Sequence, residues 1–386
     1  MAKRKLNVAL IGYSFMGKAH SNAYRQVARY FDLDVEPVMK VICGRTESKV
    51  QAMRDKYGWE EYATDYRDVI NRPDIDLVDV TVANNQHAAI ATAAAEAGKH
   101  VLCEKPLAMN VAEAKGMLAA AEKAGIIHAI CHNYRKAPAI ALAKQLIDEG
   151  RIGHVYHFRG VYLQDWILDP SFPIVWRLDK SVAGSGSHGD LAAHLIDAAR
   201  YLVGEITGVC GMMDTFIKQR PLLADFDDRL GGKASDQMGE VTVDDSSIFM
   251  ARFAQGGVGT FEASRFCAGR KNYQRFEING SNGSLAFDLE RMNELEFFDR
   301  TDPAHAQGFR TITATDGCHP YAGNYWPAAH IIGYEHTFIN LLADLLKAIA
   351  EGKPATPNWV DGVRNQAVLE AVEKSSAARG WVTPEA

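Results

Sequence analysis

The apolar run Leu6-Asn7-Val8-Ala9-Leu10-Ile11 stops at Gly12, and a helical pattern begins almost at once, over Met16 to about Ala28. A short, nearly continuous apolar run that ends in a glycine turn and enters a helix suits a buried parallel strand, which needs cover on both faces. The alternation recurs along the first third of the chain. Strand-like runs at Val38–Cys43, Leu77–Val82, His100–Cys103 and Ile126–Cys131 are separated by helical patterns at Glu47–Tyr57, His87–Ala97 and Val111–Ala124. Gly98 and Gly125 fall just past the last two, where a helix C-terminus favours glycine. Strands and helices in this order predict an α/β domain over residues 1–133, built on a doubly wound parallel sheet.

The texture changes after Pro138. A helix to about Glu149 leads into a strand at Val155–Tyr162, and a second helix covers Ser187–Val203. Strand-like runs then crowd together at Ile206–Ile217, Ser246–Phe253, Val258–Ser264, Tyr273–Asn279, Ser284–Phe287 and Leu295–Phe298. Gly256-Gly257 and Ser281-Asn282-Gly283 read as hairpin turns between neighbours, so residues 134–386 are expected to form an α+β domain on a large, mainly antiparallel open sheet. Arg220–Gly239 is polar and glycine-containing and reads as a loop or insertion; a last amphipathic helix spans Tyr334 to about Ala350.

A chain of 386 residues is too long for one ordinary core and comfortable for two domains. Its net charge of −6, without a long run of one sign, argues against nucleic acid or an anionic membrane as the main partner. Lys3-Arg4-Lys5 is followed by too short an apolar stretch for a secretory signal, and no segment approaches a membrane span. The six cysteines are scattered without a C-x-x-C pair, which predicts reduced thiols and a cytoplasmic protein.

Gly12-Tyr13-Ser14-Phe15-Met16-Gly17 lies between the first strand and first helix, where a dinucleotide-binding fold places its pyrophosphate. Ser14 stands where the middle glycine of G-x-G-x-x-G is usual; it is small enough for close approach. The acid that would hold a ribose 2′-hydroxyl at the end of the second strand is missing, and Cys43-Gly44-Arg45-Thr46 stands there. Arg45 can pair with a 2′-phosphate, lie over an adenine or face solvent, so both NAD and NADP stay open.

Two features add chemistry. Glu104-Lys105-Pro106 closes the strand His100–Cys103, putting Lys105 at the carboxyl edge of the sheet, where open parallel sheets bind ligands. In Gly186-Ser187-His188-Gly189-Asp190-Leu191-Ala192-Ala193-His194-Leu195-Ile196-Asp197, Asp190 and His194 project from one side of a helix. The pair also suits a metal with His188 as third ligand, but no further cluster at ligand spacing accompanies it, so no metal is expected.

These pieces together resemble the glucose–fructose oxidoreductase / inositol dehydrogenase / MocA (Gfo/Idh/MocA) family over nearly the whole chain. The matching segments are Ala9-Leu10-Ile11-Gly12 with Phe15-Met16-Gly17-Lys18-Ala19-His20, Asn84 with His87, Glu104-Lys105-Pro106, Asn133-Tyr134-Arg135 and Gly186 to Asp197. The stretches Tyr162-Leu163-Gln164-Asp165-Trp166, Trp176-Arg177 and His319-Pro320-Tyr321 are similar to those of members acting on anhydrosugars, inositols and free sugars. The resemblance implies a Rossmann domain that binds NAD or NADP through Gly12, Tyr13, Ser14, Phe15, Met16, Gly17, Arg45, Asn84, His87, Glu104 and Lys105. It implies a cis peptide at Lys105–Pro106, catalysis by Lys105, Asp190 and His194, and a homo-oligomer, commonly a tetramer. The expected reaction is oxidation of a secondary hydroxyl of a cyclic polyol or sugar to a ketone or lactone. His194 is the general base, Lys105 stabilises the alkoxide and Asp190 orients a neighbouring hydroxyl. A polyol pocket mixes aromatic planes with polar groups; Tyr134, Gln164, Asp165, Trp176 and Arg177 supply that mixture beside Lys105, Asp190 and His194. His319 joins them, from its own or a neighbouring subunit. The alternatives are an NAD-dependent glycosidase using transient oxidation, and a non-catalytic sensor on the same fold.

Overall fold

The computed structural model describes residues 3–226 and 231–386. β1 (Arg4–Ile11), α1 (Phe15–Tyr30), β2 (Val35–Cys43), α2 (Glu47–Tyr57), β3 (Glu61–Ala63), α3 (Tyr66–Ile70), β4 (Leu77–Val80), α4 (His87–Glu96), β5 (His100–Cys103), α5 (Val111–Ala124) and β6 (His128–Ile130) follow in turn. The strands make one parallel sheet ordered β3-β2-β1-β4-β5-β6. The order changes direction at β1 and β4, the switch point at which such sheets open a crevice beyond the strand carboxyl ends. Helices cover both faces, so Val8, Ala9, Leu10, Val78 and Val101 are fully buried. Asn110 caps α5 by accepting from the Glu113 N–H, Glu113 accepts in return from the Met109 N–H, and Gly125 ends the helix at φ 65°.

The chain continues through α6 (Pro138–Asp148), β7 (Val155–Leu163), α7 (Lys180–Ala183), α8 (Ala193–Leu202), β8 (Ile206–Asp214), β9 (Gln219–Phe226), β10 (Gly232–Glu240), β11 (Ser246–Phe253), β12 (Val258–Ser264), β13 (Tyr273–Gly280), β14 (Gly283–Asp288), β15 (Glu294–Asp299), β16 (Arg310–Thr313), α9 (Tyr334–Glu351) and α10 (Trp359–Ala378). Eight strands form a mainly antiparallel sheet ordered β16-β15-β14-β13-β7-β12-β11-β8, in which only β7 and β12 run parallel. Its inner face packs Phe158, Phe249, Phe261 and Phe276, with Phe249 and Phe261 stacked at 4.5 Å. Among the described residues, no helix is long and apolar enough to cross a membrane.

Three expectations change. Arg220–Gly239, read as a loop or insertion, contains most of a two-stranded ribbon of β9 and β10; residues 227–230 lie outside the described part. β10 is polar and largely exposed, and Pro221 interrupts β9, so the segment does not advertise a strand pair. The expected helix at Ser187–Val203 opens with a π-helical turn, His188–Ala192, before α8. Finally, the chain forms two compact units: the first holds Met1–Asn133 and Tyr334–Gln366, the second Tyr134–Asp225, Gly231–Gly333 and Ala367–Ala386. The reading of 134–386 as one domain therefore misplaces α9. That helix lays Phe338 on the His20 ring of α1 at 5.3 Å, while Tyr334 stacks on Phe15. The sequence pattern does not foretell α10. Trp359 at its start is fully buried, its indole N–H donating to the Ala129 carbonyl at 3.0 Å, and burial on most sides through 362–372 leaves no one-sided apolar stripe to read.

Candidate active site

In the first unit the β1–α1 turn is built for close approach. Gly12 sits at φ 120°, and a Cβ there would fall 2.6 Å from Thr81 Oγ1 and 2.7 Å from the Thr81 carbonyl oxygen. A Cβ on Gly17 would fall 2.4 Å from the Gly12 carbonyl oxygen. Ser14 precedes α1 without capping it through its side chain, and the first turn, which includes Phe15 and Met16, carries no acid. The first N–H groups of α1 therefore suit an anion beyond the β1 end. The Tyr13 ring lies over Gly44, where a Cβ would come within 2.0 Å of its Cδ1, and Arg45 beside it is exposed. This tight glycine cradle fits a dinucleotide. A Gly17→Ala variant is expected to weaken NADH binding by on the order of tenfold or more, measured as NADH fluorescence, because the new methyl drives into backbone.

The Glu104-Lys105-Pro106 corner follows β5, with the Lys105–Pro106 peptide cis and Lys105 half-buried. Behind it lies a buried polar network. His20 Nδ1 meets Asp79 Oδ2 at 2.8 Å and Nε2 meets Glu104 Oε1 at 3.0 Å, while Glu104 Oε2 accepts the Lys105 N–H at 3.0 Å. Burial opposes charge on His20, but the Asp79 carboxylate, Cys131 and their hydrogen bonds outweigh it and hold the imidazole well above the ordinary histidine range. Burial likewise opposes charge on Glu104, yet the His20 hydrogen bond and charge, with Lys105, bring its carboxyl below the usual range. Burial and then Asp79 push the Tyr24 hydroxyl upward. Among the described residues His20, Glu104 and Cys131 have metal-ligand spacing, and a histidine whose pKa is raised holds its proton against a metal more strongly than an ordinary one.

In the second unit Asp244 organises the turn that carries Asp190. Its carboxylate accepts from the Gly186 N–H (2.7 Å), Ser187 Oγ (2.6 Å) and the His188 N–H (2.8 Å), a cap supplied from far along the chain. Gly186 is required there, since a Cβ would fall 1.8 Å from the Asp244 carbonyl oxygen. His188 is buried between Ser247 Oγ and the Leu369 carbonyl, which engage both of its ring nitrogens within the fold. His194, on the first turn of α8, is 8% exposed with its ring 4.4 Å from that of Tyr134 and 5.9 Å from that of Tyr162. Asp197 is held by Arg135 in a two-pronged pair at 2.6 and 2.8 Å, which fixes α8 beside the segment carrying Tyr134. Arg265 donates to Asp190 Oδ2 at 2.8 Å.

A hydrogen-bond chain lines the wall next to His194. Trp166 Nε1 donates to Gln164 Oε1, Gln164 Nε2 to Asn272 Oδ1, and Tyr162 Oη to the same Asn272 oxygen at 2.7 Å. The Tyr162 proton is thus spent, so Tyr134 is the donor in the 3.1 Å contact between the two hydroxyls.

Second-unit residues Tyr134, Gln164, Asp190 and His194 belong to these connected groups, and Trp176 and Arg177 stack on each other at 4.3 Å. Others have different duties from those expected. Asp165 is bound by Lys271 and the Gly269 N–H, which bring its carboxyl below the usual range, so it pins a loop. His87 is fully buried, one ring nitrogen on the Pro106 carbonyl and the other on that of Val82, so it braces the loops after β4 and β5; Glu104 is likewise turned inward. Asn84 opens the turn leading into α4. His319 receives the Asp316 N–H on Nδ1 within a loop after β16. Asn272, Asp244 and Arg265 escape sequence reasoning, because their links run across 57 to 110 residues and leave no periodic signal.

Residues 6–132 match the oxidoreductase family with the NAD-binding Rossmann fold, and residues 140–286 the GFO/IDH/MocA C-terminal domain. The chain is 45% identical, over 98% of both lengths, to levoglucosan dehydrogenase of Pseudarthrobacter phenanthrenivorans. A crystal structure of an oxidoreductase domain protein from Kribbella flavida superimposes with a TM-score of 0.94 at 49% identity, covering 99% of this chain and 100% of that one. A levoglucosan dehydrogenase structure in complex with NADH and levoglucosan gives 0.94 at 45% identity over the same shares. With its NAD-binding Rossmann sheet and its antiparallel second sheet both matched, the chain belongs to the GFO/IDH/MocA family of oxidoreductases.

Proposed function

We propose that the protein is an NAD-dependent dehydrogenase oxidising a secondary hydroxyl of a cyclic polyol or sugar, with a 1,6-anhydrosugar of the levoglucosan type as the first substrate to test. The observation that carries this is the full-length likeness to levoglucosan dehydrogenase in a chain that holds Lys105, Asp190 and His194. NAD, when bound against the Gly12–Gly17 turn, supplies the hydride acceptor. His194 takes the hydroxyl proton, Lys105 stabilises the charge developing on that oxygen, and Asp190 accepts a hydrogen bond from a neighbouring hydroxyl.

The test is an absorbance assay with levoglucosan, inositols and free hexoses, each with NAD and NADP. NADH accumulation with at least one free polyol, and preference for NAD, is expected. Release of an aglycone without net NADH would instead identify the glycosidase reading, which no feature of the site favours. We further infer a homotetramer. The outer face of the eight-stranded sheet exposes Met212, Ile248, Met250 and Val258 on adjoining strands, apolar area of the kind buried between subunits. A monomeric mass in light scattering would refute this.

A further inference from the structure

Arg265 follows β12 and is 1% exposed, in a position that calls for a reason, because a guanidinium removed from water is costly unless it is closely paired. Its Nε is buried without a hydrogen-bond partner, and Nη1 reaches the Arg177 carbonyl only at 3.4 Å. The close bond is the one to Asp190, Nη2 to Oδ2 at 2.8 Å. The guanidinium also lies over the Trp166 ring at 5.2 Å, the same Trp166 whose indole starts the Gln164–Asn272 chain. The Asp197 pair is built differently: Arg135 takes both oxygens there, and both partners are about 5% exposed or less. Arg265 bonds one oxygen of a carboxylate that is 30% exposed. A fork that closes on both oxygens of a buried carboxylate locks a helix; a single bond from a buried cation aims a carboxylate that still faces water.

We propose that Arg265 is a positioning residue for the reaction, acting through Asp190: it holds that carboxylate oriented as an acceptor for a substrate hydroxyl. The inference rests on the polyol dehydrogenase reading above. Asp190 lies in the π-helical turn His188–Ala192, outside the regular α8 repeat, and Arg265 reaches it there from the end of β12.

The experiment is a double-mutant cycle on the full-length protein, using a polyol that the wild type oxidises, with kcat and KM measured for Arg265→Ala, Asp190→Asn and the double variant. Arg265→Ala is expected to lower kcat/KM for the polyol by on the order of ten- to a hundredfold while leaving the KM for NAD unchanged. In the Asp190→Asn background the same change should add little, since the group it serves is gone. Guanidinium chloride should restore part of the activity of Arg265→Ala, and sodium chloride at equal ionic strength should not. Losses that add in the double variant, an Arg265→Ala enzyme with normal kinetics, or a loss that follows a lowered thermal midpoint and is untouched by guanidinium would each overturn the proposal. A wild type that oxidises no polyol would refute the functional reading itself, an outcome the assay of the parent enzyme reports separately.

Discussion

Replacing His194 by alanine is expected to lower kcat by about two to four orders of magnitude while NADH still binds, the range for loss of a positioned general base. The imidazole is almost fully enclosed, and its 4.4 Å packing on Tyr134 permits little choice of orientation. α8, which carries it, is fixed by the Arg135–Asp197 fork three residues further on. The ring is therefore placed before substrate arrives, which is the condition under which one side chain can contribute so much. A His194→Gln variant controls for packing, because it refills much of the space without a base of comparable strength. If both variants turned over at near wild-type rates, His194 would have no part in proton transfer. If alanine were inactive and glutamine normal, its part would be steric.

Replacing His20 by leucine is expected to destabilise the protein by about 3–5 kcal/mol, because it leaves Asp79 and Glu104 buried without their shared cation. Asp79 is fully buried and Glu104 only 4% exposed, so water cannot take over the lost contacts. The pH dependence gives a second, independent reading. The His20 pKa is raised in the folded state above its ordinary 6.5, so its contribution is full below that value and is lost as pH rises through the higher folded value. Glu104 is lowered from 4.5, so its contribution is full above that value and is lost as pH falls through the lower folded one. The difference in thermal midpoint between wild type and His20→Leu should therefore be largest between pH 4.5 and 6.5 and shrink on the alkaline side. Midpoints from about pH 5 to about pH 9 check this. A difference that does not vary with pH would mean that the imidazole is neutral and the network holds by uncharged hydrogen bonds.

Part of the candidate site is legible in the order of residues. Gly12 and Gly17 stand out because a sharp turn between strand and helix constrains adjacent residues only, and Lys105 because it terminates an apolar run. Asp190 and His194 share a helical spacing, although the π-helical turn means that this spacing does not set their relative orientation. Local reading fails where a side chain faces something remote. His87 and Glu104 have the position of cofactor ligands at the sheet edge, but their side chains turn inward to carbonyls and to His20. Asp165 has the chemistry of a sugar acceptor, but Lys271, 106 residues on, claims it.

Local order along the chain was enough to determine the alternating strands and helices of the first unit, the antiparallel character of the second sheet, and the residue types available for oxidising an alcohol. Those properties depend on burial period, turn chemistry and near neighbours, all written within a few residues. Tertiary structure alone decided that α9 packs on α1, that Asp244 caps the turn before α8, that His20 sits between two carboxylates, and that Arg265 holds Asp190. Each of these is a pairing of distant segments, and its energy comes from excluding water around groups that no short stretch of sequence brings together.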